Sequence, residues 1–133
     1  MDVMIDSNII ISAAIFPNAR MDKFLACVSE EHQLFVCSYT LEEVMRVVKR
    51  KWPNRLRSME LFLQALSYSY VRTPSLDILD PGVVIRDEDD YPVLASALLA
   101  DVDILITGDH DFDGLGLDRP EIMTIKAFMV NFI

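Results

Sequence analysis

Two histidines and two cysteines are all that the 133 residues offer to a soft-metal site. Cys27 and Cys37 lie in apolar surroundings, with no second cysteine pair and no histidine at ligand spacing, so neither a zinc site nor a disulfide framework is expected. His110 stands between two acids and His32 near the end of a polar helical turn, and both read as bystanders. Long apolar runs are missing too. The opening MDVMIDSNIIISAAIF carries two acids and no base ahead of an apolar run broken by Ser12, which fits neither a signal peptide nor a membrane span. A reduced, cytoplasmic protein is the expectation. One domain over residues 1–133 is expected as well, long enough to bury roughly two-thirds of its unfolded surface.

Positive charge is scarce, and unevenly so. The net charge is −9, but residues 1–75 hold nine Lys and Arg against eight Asp and Glu, whereas residues 76–133 hold three against thirteen. The halves therefore carry +1 and −10. Arg46, Lys49, Arg50, Lys51, Arg55 and Arg57 put half of all basic residues into twelve positions. A polyanion can dock on such a cluster, although a solvated helix surface is the more ordinary reading of a lone cluster of this size.

Short apolar runs alternate with segments of helical spacing. Strands are predicted at 3–5, 34–37, 68–71, 103–107 and 122–125, and helices at about 9–15, 20–32, 40–51, 54–66, 91–101 and 126–132. This alternation implies an α/β fold with a central, roughly five-stranded parallel sheet and helices on both faces, a three-layer α/β/α sandwich. No internal repeat or low-complexity tract interrupts it. The segment from Pro74 to Asp90 is the one long irregular stretch, and its VVI at 83–85 could add a short strand.

In parallel sheets ligands bind beyond the carboxyl ends of the strands. Asp6 ends the first strand, and Asp109 follows the fourth in LITGDHDFDG, with Asp111 two residues on. In RDEDDYPVLASALLA, four acids from Asp87 to Asp90 crowd the head of a helix. Each acid alone suits a helix cap or a turn. Together, three segments deliver carboxylates to one rim of one sheet. Glu43 is more ambiguous. Leu41, Val44, Met45 and Val48 form the core stripe of its helix and leave both Glu42 and Glu43 off it, while Thr40-Leu41-Glu42-Glu43 fits a capping box.

The ordered set MIDSNIIISA, CSYTLEEVMRVVKR, RDEDDYPVLASALLADVDILITGDHDF and IMTIKAF resembles the PIN domain over nearly the whole chain. The likeness is to the branch of toxin components of toxin–antitoxin pairs, the VapC-like ribonucleases. Residue by residue it implies catalytic and metal-holding roles for Asp6, Glu43, Asp90 and Asp109, with Asp111 as a further metal ligand. Asn8, Thr107 and Asp87 would support them. It also implies a metal-dependent endoribonuclease using Mg²⁺ or Mn²⁺, a small antitoxin partner and a homodimer.

The residue types suit that chemistry, because carboxylate oxygens select hard cations. Packed carboxylates repel one another unless a cation relieves them, which explains gathering so much charge at one point. Of the run at 87–90, Asp90 alone is assigned to the metal and Asp87 to its support, with Glu88 and Asp89 solvated. RNA would then be attracted by the basic stretch, above all Arg46, Lys49, Arg50 and Lys51. Two other readings remain open. One is a PIN fold kept only as a binding module. The other is a phosphoacceptor, receiver-like domain, which Thr107 and Lys126 fit loosely. Such a domain, however, wants an acceptor Asp at a middle strand, and none occurs between Asp22 and Asp77.

Overall fold

The computed structural model describes residues 1–79, 81–84, 88–108 and 118–133. Five strands, β1 (Asp2–Ile5), β2 (Gln33–Cys37), β3 (Ser69–Val71), β4 (Ile104–Ile106) and β5 (Glu121–Met123), form one sheet in the order β3-β2-β1-β4-β5. Every pairing is parallel. The helices are α1 (Ser7–Ile15), α2 (Ala19–Glu31), α3 (Ser38–Lys51), α4 (Leu56–Ala65), α5 (Asp90–Ala100) and α6 (Ile125–Phe132).

Alternation along the central strands builds the two outer layers. Val3, Ile5, Ile104 and Ile106 turn to one side, where they meet Ile9 and Ile10 of α1, Phe24 of α2, Val44 and Val48 of α3, Met59 of α4 and Phe128 of α6. Met4 and Leu105 turn to the other, against Val93, Leu94 and Ala97 of α5. β1 and β4 are apolar at nearly every position because both of their faces are covered. Phe24 and Phe128 lock α2 to α6 edge to face, with ring centres 5.4 Å apart. Truncating either to Ala would cost about 3–5 kcal/mol.

The five predicted strands and six predicted helices are all present, with shifted ends. α3 begins at Ser38, two residues before the expected start, and this removes the capping box: Thr40 lies inside the first turn, fully buried, with its hydroxyl 3.2 Å from Cys37 Sγ. Pro53 opens a short 3-10 turn, Pro53–Arg55, ahead of α4. The extra strand considered at 83–85 is not formed by Val83 and Val84, which are irregular, and Ile85 lies outside the described residues.

At the amino edge of the sheet, Arg119 binds Asp101 Oδ1 at 2.8 Å and Asp103 Oδ1 at 3.0 Å. Asp103 Oδ2 in turn accepts the Asp2 N–H at 2.8 Å, tying β4 to β1. Asp101 closes α5 in the left-handed region at φ 53°, a conformation Asp tolerates better than most residues. Among the described residues no helix is long and apolar enough to cross a membrane.

Candidate active site

The opposite, carboxyl edge of the sheet carries the acids. Asp6 follows the last residue of β1 and is 6% exposed, with Oδ1 accepting the Ile9 N–H at 3.1 Å. It therefore caps α1 and lines the rim pocket at once. Asp90 is the first residue of α5. The first turns of α1 and α5 and the face of α3 from Glu43 to Lys51 surround one pocket of about 220 Å³.

Asp6, Glu43 and Asp90 line that pocket together with Asn8, and Arg50 and Lys51 reach its wall from the last turn of α3. Asp89, exposed as expected, lines it too. Its Oδ1 accepts the Tyr39 hydroxyl at 2.9 Å. Of the other basic residues expected to face RNA, Lys49 is exposed and absent from the lining, while Arg46 pairs with Glu43 at 3.7 Å. Thr107 follows β4, buried, with its N–H bonded to Met123 O at 3.1 Å. Asp87, Asp109, His110 and Asp111 lie outside the described residues.

Glu43 is set apart from Glu42 by what it touches. Glu42 is exposed, whereas the Glu43 carboxylate accepts a hydrogen bond from the buried Ser7 hydroxyl and lies 3.5 Å from the Tyr39 hydroxyl. Ser7 and Tyr39 are neighbours of Glu43 that the sequence did not disclose. Ser7 stands beside Asp6 in D-S-N, and Tyr39 lies one helical turn before Glu43, but neither spacing alone predicts contact. Tyr39 is held well above the ordinary tyrosine pKa, first by burial and then by its hydrogen bond to Asp89 and the nearby charge of Glu43.

Among the described residues the charged donor set is one of carboxylate oxygens, with neither histidine nor cysteine on the pocket wall. It fits a hard divalent cation, which Asp6, Glu43 and Asp90 would hold. At the amino edge, Cys27, Glu31 and His32 bring ligand atoms within 4.8 Å of one another, contrary to the expectation that neither cysteine has a histidine nearby. Cys27 and Glu31 are one turn apart on α2, and His32 is that helix's C-cap. Burial and the neighbouring Glu31 push the Cys27 thiol pKa up.

A parallel α/β sandwich with three acidic segments converging beyond its strands has the build of a metal-dependent phosphodiester enzyme. The sequence pattern of the PIN domain matches residues 2–111, and the chain belongs to the PIN domain family. No curated protein matches it in sequence. Solved structures of similar fold include VapBC2 from Rickettsia felis, bound to a DNA fragment from its promoter, at 14% identity and TM-score 0.74, covering 93% of this chain and 98% of that one. VapC20 of Mycobacterium tuberculosis, a toxin that cleaves the sarcin-ricin loop, aligns at 13% identity and TM-score 0.63, over 86% of this chain and 95% of its own. PAE2754 from Pyrobaculum aerophilum aligns at 17% identity and TM-score 0.63, over 99% and 89%.

Proposed function

We propose that this protein is a metal-dependent endoribonuclease, the toxin of a toxin–antitoxin pair, acting as one PIN domain over residues 1–133 in the cytoplasm. The observation that carries the reading is the meeting of Asp6, Glu43 and Asp90, from three separate segments, in a pocket whose wall also bears Arg50 and Lys51. Acids for a cation and bases for a polyanion thus share one cavity. The VapC-type toxins with the same fold, one a sarcin-ricin loop cleaving toxin and one in a VapBC assembly, support both the RNA substrate and an antitoxin partner. A homodimer is part of the same reading.

Asp6 and Asp90, with Asp109 by family correspondence, would hold Mg²⁺ or Mn²⁺, and Asp111 would add a further carboxylate. Bound there, the ion supplies the Lewis acidity that activates a water and neutralises charge on the scissile phosphate. Ser7 fixes the Glu43 carboxylate, which orients the water or helps hold a second ion. Arg50 and Lys51 bind flanking phosphates, and Asn8 contributes a polar group at the pocket's rim. Asp87 and Thr107 stabilise the neighbouring acids. The test is cleavage of RNA by the purified protein in Mn²⁺ or Mg²⁺, abolished by chelation and by Asp6→Asn. Equal cleavage by Asp6→Asn would remove the reading.

A further inference from the structure

At the end of the α3 face that lines the pocket, Trp52 meets Phe16, the C-cap residue of α1, edge to face at 5.5 Å between ring centres. Lys51, which lines the pocket, sends its Nζ over the Trp52 ring at 5.8 Å from the centre. Lys51 thus borders both the acidic pocket and the aromatic pair. Glu43 and Lys51 are eight residues apart on one helix, a rise of about 12 Å along its axis.

Phe16 is 57% exposed, although scattered exposed apolar residues are ordinary on protein surfaces. What sets this one apart is its setting. The two segments that meet here, residues 7–21 and 44–59, contain no Asp or Glu, in a chain whose net charge is −9. Residues 16–20 are all exposed, and Arg50, Lys51 and Arg55 flank the Trp52 side. Trp52 itself is only partly buried and packs against the core, so the ring that Phe16 meets is anchored.

We infer that Phe16 is a stacking platform for an unpaired base of single-stranded RNA, held in orientation by Trp52, with Arg50 and Lys51 gripping the phosphates that lead to the carboxylate pocket. This deepens the ribonuclease reading and rests on it for the identity of the strand. The physical case is complementarity of two kinds: an aromatic face accepts any base, and an acid-free basic border accepts the backbone. Stacking adds affinity without releasing counterions, so Phe16 and Lys51 should differ in salt dependence.

Trp52 is the sole tryptophan, so its emission reports on this surface alone. The experiment titrates the full chain, in EDTA to prevent cleavage, with a fluorophore-labelled single-stranded RNA oligonucleotide. Anisotropy follows binding, a parallel titration with the unlabelled strand follows Trp52 emission, and cleavage of the same strand in Mn²⁺ is scored separately. Saturable quenching is expected. Phe16→Ala should weaken binding about tenfold with an unchanged salt slope, within the range of one base stacked on an aromatic ring, and Phe16→Tyr should restore it. Lys51→Ala should lower the salt slope. RNA that binds by anisotropy without altering Trp52 emission, or with wild-type affinity for Phe16→Ala, overturns the inference even if cleavage is intact. If Phe16→Ala instead loses only a co-expressed protein partner, the surface belongs to that partner and the inference is overturned. Quenching and Phe16 dependence without cleavage would uphold the RNA surface while removing the nuclease reading.

Discussion

Ser7 and Glu43, 36 positions apart in sequence, are joined by a hydrogen bond from hydroxyl to carboxylate at the floor of the acidic pocket. The bond links the first turn of α1 to the middle of α3 and holds Glu43 in the pocket that Asp6 also lines. Glu43→Gln keeps a hydrogen-bonding group of the same size but removes the charge. RNA cleavage should therefore fall at least tenfold while the melting temperature stays close to wild type. Undiminished turnover in Glu43→Gln would restrict Glu43 to a structural role. Ser7→Ala leaves the carboxylate one donor short and should destabilise by about 1 kcal/mol, with a smaller loss of rate.

Divalent cations should stabilise the fold, because the acids of the pocket repel one another without one. A single site contributes RT ln(1 + [L]/Kd), about 2.7 kcal/mol at a hundredfold excess over Kd. Thermal melts with and without millimolar Mn²⁺ measure it. An upward shift reversed by EDTA and missing in Asp6→Asn is expected; indifference of wild type to Mn²⁺ would count against a carboxylate metal site.

The basic residues of α3 should divide by position. Arg50 and Lys51 line the pocket and Lys49 does not, so replacing either of the first two with Ala should raise KM for RNA and flatten the salt dependence of binding by somewhat under one unit per lost phosphate contact. Lys49→Ala should change both less. Arg46→Ala should act instead through Glu43, its ion-pair partner, and leave the salt slope near wild type. A Lys49→Ala slope equal to that of Lys51→Ala would show that RNA follows a different face of the helix.

Tyr39 gives a pH signature. Its raised pKa means that the fold favours the neutral phenol, so the associated stability is fully present below the ordinary tyrosine pKa of about 10 and is lost as pH rises through the higher folded value. Melting temperature recorded from pH 8 to 11 should fall more steeply for wild type than for Tyr39→Phe above about pH 10. Parallel curves would mean that Tyr39 is not held neutral by burial and Asp89.

The layers, the strand content and the acidic rim were legible in the sequence because each rests on a short-range signal. β1 and β4 read as strands from unbroken apolar runs, and Asp6 and Asp90 stand where those signals change. The choice between Glu42 and Glu43 was not legible. Both lie off the Leu41–Val44–Met45–Val48 stripe, and the deciding contact comes from Ser7 on another helix. The start of α3 was misplaced because Thr40 and Glu43 satisfy a capping pattern that Cys37 and Ser38 pre-empt by beginning the helix earlier. Asp89 looked like a solvated turn acid, and only the approach of Tyr39 from α3 shows its second contact. Asp87, Asp109 and Asp111 fall outside the described residues, so their placement rests on family correspondence.

The ladder between the two central strands pairs Ile5 with Ile106, so Asp6 and Thr107 emerge side by side where the strands stop. Both strands are covered on both faces, and sliding one past the other by a single residue would send odd-numbered side chains into the layer meant for even-numbered ones. The same slip would draw Asp6 into the sheet interior, where an uncompensated carboxylate is prohibitively costly. Correct threading and assembly of the acidic rim are therefore a single event, and the sheet proofreads its own active site. A preparation that folds cooperatively should consequently be uniform in competence, with loss of specific activity on partial heating tracking loss of the sheet signal rather than preceding it.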